Sequence, residues 1–223
     1  MSSSISIARR KEEMKKFILL ALILAVFMAS QVFAETLNLK TLPAQTAGGH
    51  YVGAVGGNID NGAKANYYCD DFATTTRVPN AFTVLISTLS NMTGAKFYNA
   101  LDPALSLKKY QQVGWLMMQM EINPVKTGAI QFAMWSVFTP STPTFEDSAA
   151  WLLASSRIDA NSYDFSQMRI YTATDTKNQE FVGGSVSAVP EPAEWMLLII
   201  GLGLITYSVH RNRREGAVIR IAA

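Results

Sequence analysis

The chain has 223 residues, a formal net charge of +2, one cysteine and two histidines. That length allows one domain of ordinary size with appendages. The basic residues gather at the two ends, and no basic patch with interleaved aromatics lies between them, which argues against a nucleic-acid partner.

At the N-terminus, Lys15 and Lys16 precede an apolar run from Phe17 to Met28, followed by Ser30-Gln31-Val32-Phe33-Ala34. A basic start, an apolar stretch too short to span a bilayer comfortably and small residues before Ala34 predict a signal peptide over residues 1–34. The competing reading is an uncleaved anchor helix. Met14 begins a complete signal peptide by itself, so translation is expected to start there. The exported domain then covers residues 35–188.

Residues 35–50, rich in Thr, Ala and Gly, read as a lead-in. Residues 51–55 read as a strand. Asp60-Asn61-Gly62 is a hairpin signal, because Asn-Gly accepts the positive φ angles of a tight turn. Residues 65–72 form the returning strand, and the β-branched, aromatic run 81–87 another. The period then changes. Leu107, Tyr110, Val113, Gly114, Met117 and Met120 recur at helical spacing, predicting an amphipathic helix over 105–121 that Pro124 ends. The methionines of that stripe read as core rather than as a soft-metal site. Residues 128–138 predict a short buried helix, and Thr144 with Asp147 a capping box for a third around 149–154. Acidic Glu146 and Asp147 are assigned to that helix's first turn. Residues 168–173 and 180–182 read as closing strands, and 185–188 as a linker. Strands, then two or three short helices, then strands indicate an α+β domain with antiparallel strands.

The common catalytic signatures are absent: no GxSxG, HExxH, CxxC, P-loop or Rossmann fingerprint occurs. Neither His50, in a glycine-rich stretch, nor His210, beside an apolar run, reads as a base or metal ligand. Asp70 and Asp71, adjacent on a strand, are expected to face opposite ways. The chain is therefore not expected to be an enzyme, and no metal or other cofactor is implied. A single cysteine in an exported protein leaves a free thiol, an intermolecular bond or something less usual.

Two segments carry chemistry together, Tyr68-Cys69-Asp70-Asp71 and Ile130-Gln131-Phe132-Ala133-Met134-Trp135. The pair resembles the thioester domains of bacterial surface adhesins, with an aromatic-Cys motif on an early strand and an apolar-Gln motif ending in apolar-Trp on a later helix. The resemblance spans about residues 51–183, though its sharp part is some ten residues. The Cys-to-Gln separation is shorter than in the Gram-positive domains, and the 105–121 helix stands where they carry a helical lobe. It implies that the Cys69 sulfur is joined to the Gln131 side-chain carbonyl with loss of ammonia. Such an activated acyl group can pass to an amine on a target. Burial among Tyr67, Tyr68, Phe132 and Trp135 is expected to limit hydrolysis. The bland alternative makes Cys69 a small buried hydrophobe and Gln131 an ordinary helix residue.

The C-terminus carries Val189-Pro190-Glu191-Pro192, an apolar run from Trp195 to Val209, and a basic cluster of Arg211, Arg213 and Arg214. The prolines forbid regular helix and favour an extended segment. The apolar run is at the short end of a bilayer span, which needs roughly 17 residues or more, and the arginines would stay cytoplasmic. In this order the features resemble the PEP-CTERM sorting signal of Gram-negative bacteria over residues 189–214, with residues 215–223 a short cytoplasmic tail beyond the usual end. The resemblance implies passage through the Sec export machinery, a transient transmembrane anchor in the inner membrane, recognition of Pro-Glu-Pro by an exosortase, and release to the cell surface or extracellular matrix. The function expected is attachment through the thioester. The alternative is a structural, non-covalent component of an exopolysaccharide or biofilm matrix.

Overall fold

In the computed structural model, residues 34–189 and positions 200, 202, 204 and 205 are described. The expected signal peptide, Pro190, Glu191, Pro192, His210, the basic cluster Arg211, Arg213 and Arg214, and the tail lie outside them. Ile200, Leu202, Leu204 and Ile205 are helical and exposed. Among the described residues, no helix is long and apolar enough to cross a membrane.

Residues 34–189 are α+β, with antiparallel strands and three α-helices. Six strands close into a barrel in the order β1 (Ala34–Thr41), β4 (Val55–Ile59), β5 (Ala65–Cys69), β9 (Phe181–Gly183), β8 (Arg169–Ala173) and β6 (Asn80–Ser87). Closure removes the unpaired edges that an open sheet would present. Two small ladders stand beside it: β2 (Gln45–Ala47) with β3 (His50–Val52), and β7 (Tyr163–Asp164) with β10 (Ser187–Ala188). Between β6 and β7 run α1 (Pro103–Ile122), α2 (Thr127–Phe138) and α3 (Ser148–Ser156).

Register decides which side chains share a face. Cys69 lies opposite Phe181, which lies opposite Tyr171; Tyr68 lies opposite Val182, which lies opposite Ile170. Successive strand residues face opposite ways, so the two rows serve two cores. Cys69, Tyr67, Phe181 and Tyr171 join Leu37, Leu39, Val55 and Val84 in one cluster, which Phe132 and Trp135 of α2 complete. Tyr68, Val182 and Ile170 pack instead against α1 and the other side of α2, through Tyr110, Leu116, Met117, Ile130 and Met134. Helix α2 serves both clusters, which is why it is buried nearly all round. Met117, Met118 and Met120 are buried in the helical core, as the stripe predicts.

Several expectations are corrected. The lead-in is a barrel strand: β1 places Leu37 and Leu39 in the core at 0% and 1% exposure. Two leucines two apart, among Thr, Asn and Lys, are too brief an alternation to stand out. Residues 51–55 are split by Gly53 between β3 and β4. The hairpin turn is longer than Asn-Gly requires, with the positive φ on Asp60 (46°) and the Gly62 N–H bonded to the Ile59 carbonyl. Helix α1, at 20 residues, is not short; Asp102 caps it by accepting from the Leu105 N–H at 2.9 Å. The capping box at Thr144 does not form. Glu146 and Asp147 precede α3, Ser148 Oγ takes the Phe145 N–H instead, and Asp147 pairs with Lys126 at 3.3 Å. The linker 185–188 contributes β10, and Val189 N–H bonds to the Ser162 carbonyl.

Candidate functional site

The barrel and α2 bring Cys69 and Gln131 together. Cys69 ends β5; Gln131 lies in the first half of α2, 62 residues later, and is 1% exposed. The Gln131 amide nitrogen donates to the Cys69 carbonyl oxygen at 2.6 Å and contacts Met134 Sδ at 3.8 Å. Its amide oxygen accepts the Gly53 backbone N–H at 3.2 Å. The amide plane is thus held at both ends, next to the residue that carries the thiol. The Cys69 thiol donates to the Asp71 carbonyl at 3.2 Å, forms no disulfide, and lines the same cleft as Gln131.

That cleft has a volume of about 270 Å³. Its walls come from the β2–β3 hairpin, the segment after β5, and α2. The rings of His50, Phe72, Phe132 and Trp135 form a connected aromatic group there, with centroid separations of 5.0 to 6.0 Å. Tyr67, Tyr68, Phe132 and Trp135 are all buried, but Tyr68 packs in the other core, and of the four Trp135 is the one that lines the cleft.

Burial pushes the Cys69 thiol well above its usual range, and the neighbouring Asp70 charge adds to this. Hydrogen bonding at the Asp71 backbone and the nearby Trp135 indole oppose the shift in part. Such a thiol resists ionisation and is a poor free nucleophile. For the same reason its thiolate is a poor leaving group unless a proton reaches it, which protects an acyl-sulfur bond from adventitious cleavage. The Trp135 indole N–H, buried and without an oxygen acceptor, is the group beside the sulfur that favours its charged form.

Gly53 is required where it stands. Its φ is +95°, and a Cβ there would lie 2.8 Å from Thr127 Cγ2. Gly53→Ala is expected to cost about 1–3 kcal/mol and to pull the N–H away from the Gln131 oxygen. Thermal unfolding measures the first effect, and the fraction of chains reacting with an amine the second. An unchanged reacting fraction would remove Gly53 from the site.

Asp70 and Asp71 follow the end of β5. Both are fully buried. Asp71 caps the Ala73 and Thr74 N–H groups and pairs with Lys96 Nζ at 2.5 Å. Asp70 lies with Glu180, each raised chiefly by burial and further by neighbouring carboxylates. Glu180 accepts from Tyr110 Oη at 2.7 Å, from the Lys96 N–H at 2.6 Å and from the Thr172 hydroxyl. Among the described residues, no group of three or more His, Cys, Asp or Glu is placed to hold a metal ion.

His50, dismissed on sequence as part of a flexible stretch, is a wall of the cleft. The signal that could have placed it is Gly48-Gly49, whose φ angles of +54° and +81° turn β2 back into β3 against α2. No protein-family model, curated protein or solved structure matches the chain.

Proposed function

We propose that this chain is the precursor of an exported, exosortase-sorted surface or matrix protein, and that its barrel domain is an attachment module with a Cys69–Gln131 thioester. The observation that carries the reading is the pinned Gln131 amide, bonded at 2.6 Å to Cys69 and at 3.2 Å to Gly53. Two motifs 62 residues apart, paired first by resemblance, occupy one cleft. Fixing the Gln131 amide on the backbone of the residue that carries the thiol, in one cleft, lowers the entropic barrier to bond formation. The sulfur adds to the Gln131 side-chain carbon, the carbon–nitrogen bond breaks, and nitrogen leaves as ammonia with the thiol proton. Gly53 N–H faces the oxygen on which negative charge gathers. The experiment is incubation of folded mature protein with methylamine. The expected product is one methylamide on the Gln131 side chain and one free thiol on Cys69, found by peptide mapping.

The sorting half of the proposal rests on the order of Pro190-Glu191-Pro192, apolar run and arginines. Replacing both Pro190 and Pro192 with Ala is expected to hold the protein in the inner-membrane fraction of an exosortase-bearing cell. Release equal to wild type would show that the motif is not read. The second reading, a non-covalent matrix component, is favoured if methylamine leaves the folded protein unaltered.

A further inference from the structure

Acyl transfer from a thioester to an amine needs a group to take the proton that the attacking nitrogen sheds. Resting on the thioester reading, we infer that His50 is the general base of the transfer. The residue sits at the start of β3, and Gly53, whose N–H binds the Gln131 oxygen, follows three residues later. Three residues of chain span at most ~10 Å, so the base and the oxyanion donor are supplied by one short segment. The imidazole packs on the turn of α2 that carries Gln131: its ring centroid is 6.0 Å from Phe132 and 5.8 Å from Trp135. Trp135 in turn stands beside the Cys69 sulfur. His50 is exposed while Cys69 and Gln131 are buried, so it stands on the side from which a nucleophile must come.

The other titratable side chains of the cleft wall are Cys69 and Tyr51; no Asp, Glu, Lys or Arg lines it. Neither a buried thiol nor a tyrosine accepts a proton at neutral pH, whereas imidazole changes protonation between about pH 5 and 8. The absence of a carboxylate also means that nothing in the wall holds an ammonium, so the amine enters neutral.

The step balances without a further reactant. The amine lone pair adds to the Gln131 acyl carbon, and the carbonyl electrons move to the oxygen that Gly53 N–H faces. The nitrogen, now positive, passes one proton to the His50 imidazole. The carbonyl re-forms, the carbon–sulfur bond breaks, and its electron pair leaves on Cys69. The imidazolium returns the proton to that thiolate, which burial makes avid for it. The products are an amide and a thiol.

The test measures the rate of methylamine adduct formation by intact mass, from pH 5.5 to 8.5, for wild type, His50→Gln and His50→Ala in the mature domain. In both variants the adduct is expected to form on the order of 10²-fold more slowly, while the mass deficit of one ammonia persists and shows that the site is assembled. With rates expressed per neutral methylamine, whose share itself grows with pH in this range, the wild-type rate is expected to rise with pH through the imidazole range, the variants to lose that rise, and free imidazole to restore part of the rate of His50→Ala. Wild-type rates in the variants overturn the inference. So does a slowed variant that keeps the wild-type pH profile and ignores imidazole, or loss of the ammonia deficit in both variants, since each marks a merely structural role. A wild-type protein with no ammonia deficit is a different failure, and it sinks the thioester reading itself.

Discussion

Purified mature protein is expected to weigh one ammonia less than its sequence, and Cys69→Ala and Gln131→Ala are each expected to restore the full mass. The effect is all-or-none because the bond needs both partners. The geometry explains why the bond should form without a separate enzyme. The Gln131 amide cannot rotate freely: its nitrogen is bonded to the Cys69 carbonyl and its oxygen to Gly53 N–H. Effective concentrations for groups held this way reach on the order of 10⁵ M or more. Cys69 and Gln131 are themselves buried at the foot of the cleft, so water competes poorly for the acyl carbon. Under native conditions Cys69 should resist alkylation, and it should become reactive once methylamine has taken the acyl group. A wild-type chain of full mass whose thiol alkylates while folded would falsify this account.

The second large effect concerns the carboxyl pair behind Cys69. Glu180 receives three donors, from Tyr110, Lys96 and Thr172, as an ionised carboxylate does. Asp70 receives none on either oxygen, although it is fully buried beside Glu180. That asymmetry favours the neutral form of Asp70, since a buried carboxyl without donors is costly to charge. Burial holds Asp70 well above the usual carboxyl range, and the charges of Glu180 and Asp71 push the same way. The sign follows from linkage. In the unfolded chain Asp70 ionises in the ordinary carboxyl range, while the folded chain keeps its proton to higher pH. The folded state therefore binds more protons, and stability is greatest below the ordinary range and falls as pH rises through it toward the folded value. Each unit of separation is worth about 1.4 kcal/mol.

Asp70→Asn keeps the shape and stays neutral at every pH. It is expected to raise the melting temperature at pH 8, to change little at pH 4, and to flatten the slope between them. Thermal denaturation at a series of pH values checks this. A variant with the wild-type slope would place the pH dependence elsewhere. The position next to Cys69 matters for the site as well: a neutral Asp70 withdraws one of the charges that raise the thiol.

The sequence carried the elements with strong local signals. The 3.6-residue stripe from Leu107 to Met120 specifies α1, and the buried run before Pro140 specifies α2. The β-branched run at 81–87 specifies β6. The two chemical segments were legible because Cys69 is the sole cysteine and the residues around Gln131 match a known pattern. The α+β class followed from the order of those elements.

What the sequence left open depends on contacts between distant residues. Barrel closure brings β1, read on sequence as a lead-in, beside β4 and sets β9 between β5 and β8, pairings that no local pattern declares. The three donors that gather on Glu180 come from residues 96, 110 and 172, and no local pattern announces a buried carboxyl pair. His50 is the sharpest case. In sequence it follows two glycines and looks like the edge of a loop. Only when that loop folds as a hairpin onto α2 does its ring reach Phe132 and Trp135, on the turn that presents Gln131. The sequence by itself marked the two residues that the proposed thioester would join, Cys69 and Gln131. The tertiary structure decided whether they meet, because closing chain segments of 62 and 78 residues onto one cleft depends on the packing of two cores, not on the residues at the site.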